Sequence, residues 1–150
     1  MSDQGVIFPQ TVVKEKYALF KHEFLEFLFS ELVDMRSVFE NDLDSMLIYT
    51  AISRFYLRDE RAGLSPGCDE FDSRGFSATR ISAQTKIPRE TVRRKLHELQ
   101  GRGLIEKGPR DEWRIAVKDG FPVIRTEYQH EWRREMERVV KFVKALKDHV

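Results

Sequence analysis

The chain has 150 residues, 41% hydrophobic and 34% charged, a balance that folds and excludes a disordered polymer. Its single cysteine, Cys68, excludes an internal disulfide and fits a reducing compartment. The net charge of +1 hides an asymmetry: residues 1–76 carry 14 acidic and 8 basic side chains (net −6), residues 77–118 carry 5 and 11 (net +6), and residues 119–150 carry 6 and 7 (net +1).

A polyanionic partner would therefore meet the middle of the chain. No basic-then-apolar leader opens the sequence. The most apolar stretch, Tyr17 to Met35, carries Lys21, Glu23, Glu26, Glu31 and Asp34, which excludes a membrane span. A cytoplasmic location is expected.

In chain order, Thr11 to about Phe39 reads as a helix. Tyr17, Phe20, Phe24, Phe27, Leu28, Leu32 and Met35 recur at helical spacing, in an apolar arc wide enough to need more than one packing partner. Asn41 or Asp42 can cap a second helix that runs to about Arg58. A loop over residues 59–76 follows, rich in glycine, proline and acids. Ser77 then caps a short helix through Thr85. Pro88 suits the first turn of another that ends near Gln100 or Gly101. Leu104 to Lys107 and Trp113 to Val117 read as two strands joined by a turn at residues 108–112. From Pro122 or Val123 one long helix is expected to the end. Its seam of Trp132, Met136, Val139, Val143, Leu146 and Val150 steps by four and three, and Tyr128 extends it.

The fold class that follows is mainly α with a two-stranded β wing, flanked by helices that dimerise. The expected divisions are a helical extension over residues 1–40, a central domain of short helices and wing over 41–120 and a C-terminal dimerisation helix over 121–150.

Residues 76–107 carry the functional signal. Ile81 and Thr85 face inward from the first short helix. Val92, Leu96 and Leu99 do so from the second. The opposite face of the second helix then holds Glu90, Arg94 and His97, flanked by Arg89 and Arg93. Arginine can take both acceptors of a guanine edge, and glutamate can accept from cytosine. Residues near the start of such a helix reach bases first, which points to Arg89, Glu90 and Arg94. Arg93, Lys95 and His97 suit phosphates or solvent. Lys107, Arg110 and Arg114 surround the hairpin and could meet a phosphate strand. Lys86 stands where such turns usually carry glycine.

Ile87-Pro-Arg-Glu-Thr-Val-Arg-Arg-Lys-Leu96, followed by Leu99-Gln-Gly-Arg-Gly-Leu-Ile105, resembles the winged helix-turn-helix of the catabolite activator protein and related bacterial regulators. The resemblance covers about Phe76 to Lys107. It implies that Arg89, Glu90 and Arg94 read bases and that Thr91 and Ser77 help hold phosphates. Only helices flank the motif here, with no β-rich cyclic-nucleotide domain. In that respect the chain looks more like the MarR-type dimeric regulators, whose terminal helices form the dimer interface.

No enzyme chemistry stands out. Glu127 and His130 have the spacing of a di-iron carboxylate helix, but no second copy accompanies them. Arg134 stands where a zincin motif needs its second histidine. No metal and no cofactor are expected. The expected partners are double-stranded DNA and a second copy of the chain, with an apolar effector beside Phe20, Phe24 and Phe27 as a further option. The rival readings are a winged-helix protein-interaction module and a small-molecule sensor.

Overall fold

A computed structural model describes residues 10–61 and 76–149. The expected loop and Cys68 lie largely outside them, as do the side chains at positions 10–14 and 59–61. Six helices and two two-stranded antiparallel sheets are present among the described residues. In order they are α1 (Gln10–Val38), α2 (Leu43–Arg61), α3 (Ala78–Thr85), α4 (Arg89–Gly101), β1 (Ile105–Lys107), β2 (Trp113–Ile115), β3 (Val117–Lys118), β4 (Phe121–Pro122), α5 (Val123–Glu127) and α6 (Gln129–Lys147).

The chain divides into two compact units. One is Met35–Gln129, and the other takes the chain up to Asp34 together with His130 onward.

In the unit Met35–Gln129, helix α1 ends because Glu40 and Asn41 both take left-handed backbone (φ 54 and 66). The Asn41 N–H donates to the Arg36 carbonyl at 2.9 Å, satisfying a carbonyl of the last turn. Asp42 caps α2: its carboxylate accepts from the Ser45 N–H at 3.1 Å and the Ser45 hydroxyl at 2.9 Å. The core forms where Ile48 and Ile52 of α2 meet Ile81 of α3 and Val92, Leu96 and Leu99 of α4, all nearly inaccessible. Leu104 and Ile105 close it from the start of the first hairpin. That hairpin pairs Ile105 with Ile115 and Lys107 with Trp113. The Trp113 N–H donates to the Phe76 carbonyl at 3.1 Å, which anchors the hairpin to the segment leading into α3.

Two expectations for the C-terminal third need correction. The strand ending at Val117 is in fact two strands. β2 stops at Ile115, and Val117 opens a second hairpin, pairing with Pro122 across Asp119 and Gly120. Both turn residues have positive φ (54 and 81), which suits a two-residue hairpin loop. The long C-terminal helix is interrupted as well. Tyr128, with φ −119 and ψ 53, ends α5, and α6 begins at Gln129. The Tyr128 ring packs against the core and its hydroxyl accepts from Arg102, so a tertiary contact overrides a locally continuous helical pattern.

The other unit is an antiparallel pair of helical segments. Phe27 stacks on Phe142 with ring centroids 5.2 Å apart. Arg138 bonds Glu31 at 2.7 Å and Asp34 at 2.8 Å. Arg134 bonds Asp34 at 2.8 Å, and the Lys16 ammonium reaches the His149 carbonyl. No described side chain in this unit is fully buried, whereas Phe29, Val140, Tyr17 and Val143 are each more than half exposed. Of the expected seam, Trp132, Val139 and Leu146 are half-buried and Met136 and Val143 exposed.

Candidate nucleic-acid interface

The candidate interface is built on the turn between α3 and α4. Ser77 caps α3 by accepting from the Arg80 N–H at 3.2 Å. The helix ends at Lys86, in left-handed backbone with φ 64 and ψ 13, as its glycine-like position requires. That conformation costs a non-glycine residue about 1 kcal/mol. Neighbouring hydroxyls hold it in place. The Ser82 hydroxyl donates to the Ile87 carbonyl at 2.6 Å, and the Thr85 hydroxyl donates to the Ile81 carbonyl at 2.7 Å while accepting from the Ile87 N–H at 3.3 Å. Ile87 is buried, which pins the chain as it enters α4.

Helix α4 then sorts its side chains by spacing. Val92, Leu96 and Leu99 are buried; Arg89, Glu90, Arg93, Arg94 and His97 are exposed; Thr91 is half-buried. Arg93 and Glu90 form an exposed pair at 3.4 Å, a contact worth little in water. Arg89 and Arg94 have no hydrogen bond or ion pair among the described residues, so their guanidinium groups are available to an external acceptor. The His97 ring meets Trp113 edge-on at 6.2 Å, which places α4 beside the first hairpin.

Lys95 departs from its expected role. It is turned inward, its side chain only 14% exposed, and its ammonium bonds the Asp42 carboxylate. That hydrogen bond is the main reason its pKa is raised. It pins α4 to the start of α2 and is not a phosphate contact.

The hairpin cations are likewise engaged. Lys107 bonds Asp111 at 2.8 Å and lies 5.0 Å from the Trp113 ring centroid. Arg114 faces Glu106 across the strand pair at 3.2 Å. At the tip, the Arg110 N–H donates to Glu112 at 2.8 Å. A β-carbon at Gly108 would fall 1.9 Å from the Glu112 carboxylate, so a larger residue there would displace that side chain. Phosphate binding by Lys107 or Arg114 would exchange an exposed ion pair for a stronger anion, a small penalty at such exposure. Ser77 is already an acceptor, so what it can add is its hydroxyl hydrogen.

Sequence reasoning missed Arg102. Standing just after α4, it donates to the Val38 carbonyl at 2.7 Å and to the Tyr128 hydroxyl at 2.5 Å. Its neighbours are 64 and 26 positions away, so no local spacing could reveal them.

Among the described residues no group of three or more histidine, cysteine or acidic side chains could hold a metal ion, and no helix is long and apolar enough to cross a membrane. In the two-helix unit an open groove of about 450 Å³ is lined by Phe29, Val33, Arg134, Arg138 and Lys141 among others. Phe20, Phe24 and Phe27, beside which an apolar effector is the further option, do not line this groove. No protein-family model, curated protein or solved structure matches the chain.

Proposed function

We propose that the chain is a sequence-specific, double-stranded DNA-binding transcriptional regulator of bacterial type, a winged helix-turn-helix that acts as a homodimer. The observation that carries this reading is α4. Its apolar side is fully buried while Arg89, Glu90, Arg93, Arg94 and His97 stand exposed on the other, directly after a rigid turn and directly before a hairpin with three cations. A helix with that outer face fits a major groove, where each well-placed bidentate contact discriminates by about 1–3 kcal/mol. Arg89, Glu90 and Arg94 read bases. Ser77, Thr91, Arg93, His97, Lys107, Arg110 and Arg114 contact phosphates. The local excess of positive charge over residues 77–118 supports the same partner.

The dimer rests on the two-helix unit. Tyr17, Phe24, Leu25 and Leu32 of α1 and Met136, Val140 and Val143 of α6 each expose between 38% and 67% of their surface. These seven side chains give a second copy of the chain an apolar face to cover, and a two-fold axis matches a palindromic site.

The test is selection of the full chain on random duplexes at several salt concentrations. Enrichment of two inverted half-sites about 10 base pairs apart, with affinity falling as salt rises, supports the reading. Absence of both leaves a protein-interaction module.

A further inference from the structure

Helix α4 carries a second functional side besides the exposed one. Lys95 in α4 and Arg102 at its C-terminal cap lie seven residues apart, about two helical turns, and so stand near the same side. Lys95 holds Asp42 in the link between α1 and α2. Arg102 reaches two further segments through one nitrogen, bonding the Val38 carbonyl and the Tyr128 hydroxyl. Its guanidinium also lies 5.8 Å from the Phe39 ring centroid and 6.0 Å from that of Tyr128. Val38 is the last residue of α1 and Tyr128 the break before α6.

Both lie close to the places where the chain leaves the unit Met35–Gln129, since the boundaries fall after Asp34 and after Gln129. One side chain at the end of α4 therefore holds residues beside both exits. A planar, always-charged guanidinium suits this task, because it can bond two acceptors and still lie against aromatic rings.

We infer that Arg102 is a positioning residue that fixes α4 against the two exits, and thereby sets the spacing between half-sites that a dimer accepts. The inference rests on the DNA-binding dimer proposed above. Two recognition helices held at a fixed separation accept a narrow range of spacings. Loosening α4 at its own exits widens that range without touching any base-reading side chain.

The experiment uses the full chain, duplexes carrying two selected half-sites with spacers lengthened or shortened by one or two base pairs, and a duplex with one half-site. Tyr128→Phe removes only the hydroxyl that accepts from Arg102, and Arg102→Lys removes the fork. Both variants are expected to bind the single half-site as the parent does. Their penalty for a wrong spacing should shrink by roughly 2- to 30-fold, the range for side chains that couple distant sites. Tyr128→Phe decides the matter if Arg102→Lys fails to fold. A variant spacing profile identical to the parent's, or an equal loss on single and paired half-sites, overturns the inference while leaving the DNA-binding reading intact. A parent chain with no spacing preference overturns the inference and the dimer with it, and a parent chain that binds no duplex overturns the DNA-binding reading.

Discussion

The Asp42 carboxylate joins two helices: it caps α2 through Ser45 and binds Lys95 of α4. Burial alone would push the Asp42 carboxyl up, but Lys95 and the two Ser45 donors outweigh it and hold the group below its usual range. Asp42→Asn keeps a good capping side chain and loses the charge, whereas Asp42→Ala loses both. In urea unfolding, Asp42→Ala should be less stable than Asp42→Asn by about 1 kcal/mol, the usual worth of a cap. Equal stabilities would show that capping contributes nothing here.

Glu135 and Asp34 titrate in opposite directions, and the pH dependence follows from the signs. Arg134, with help from Arg138, holds Asp34 below 3.8, so its contribution is full above that value and is lost as pH falls through the lowered pKa. Glu135 is raised above 4.5, first by burial and then by Glu31, so its charged form is a penalty at neutral pH that is relieved as pH falls toward 4.5. Glu135→Gln should therefore raise the thermal midpoint at pH 7, and the gain should fade in scans at pH 4.5 and below. A variant less stable than the parent at pH 7 would refute this.

Lys86 holds a left-handed conformation that glycine adopts freely. Lys86→Gly removes that strain of about 1 kcal/mol but adds about 0.5–1 kcal/mol of unfolded-chain entropy, for a net stabilisation of at most about 0.5 kcal/mol. Chemical denaturation checks it, and DNA affinity should change little because Lys86 is not among the proposed contacts.

The exposed apolar side chains of the two-helix unit predict an oligomer. The parent should sediment as a dimer, and Phe24→Asp combined with Val140→Asp should sediment as a monomer, since each change puts a charge into an apolar contact. A monomeric parent would contradict the proposed arrangement.

How far the sequence disclosed this fold differs from element to element. Val92, Leu96 and Leu99 were legible because helical spacing alone separates a buried face from an exposed one. Ser77 and Lys86 were legible because caps and left-handed turns carry local signatures. Lys95 was counted among the outward cations, yet it sits three residues after Val92 and four before Leu99, on the edge of the buried side. The second hairpin carries Asp119-Gly120, a strong turn signal, but its strands of two residues each are too short to show alternation. The break at Tyr128 was hidden outright. The helical steps run through it unbroken, and its cause is Arg102, 26 positions away. Local pattern carried the exposed face of α4, and long-range contacts carried the devices that fix its position.

Arg94 tests the central claim most directly, because it is exposed, has no partner among the described residues and stands on the outer face of α4. The measurement is the affinity of the parent and of Arg94→Ala for the selected duplex and for single-base variants of it, at two salt concentrations. The account predicts that Arg94→Ala loses about 1–3 kcal/mol on the selected duplex and most of its preference at one base position of each half-site. Equal binding of the selected duplex by Arg94→Ala and the parent, with the same base preferences, would contradict it.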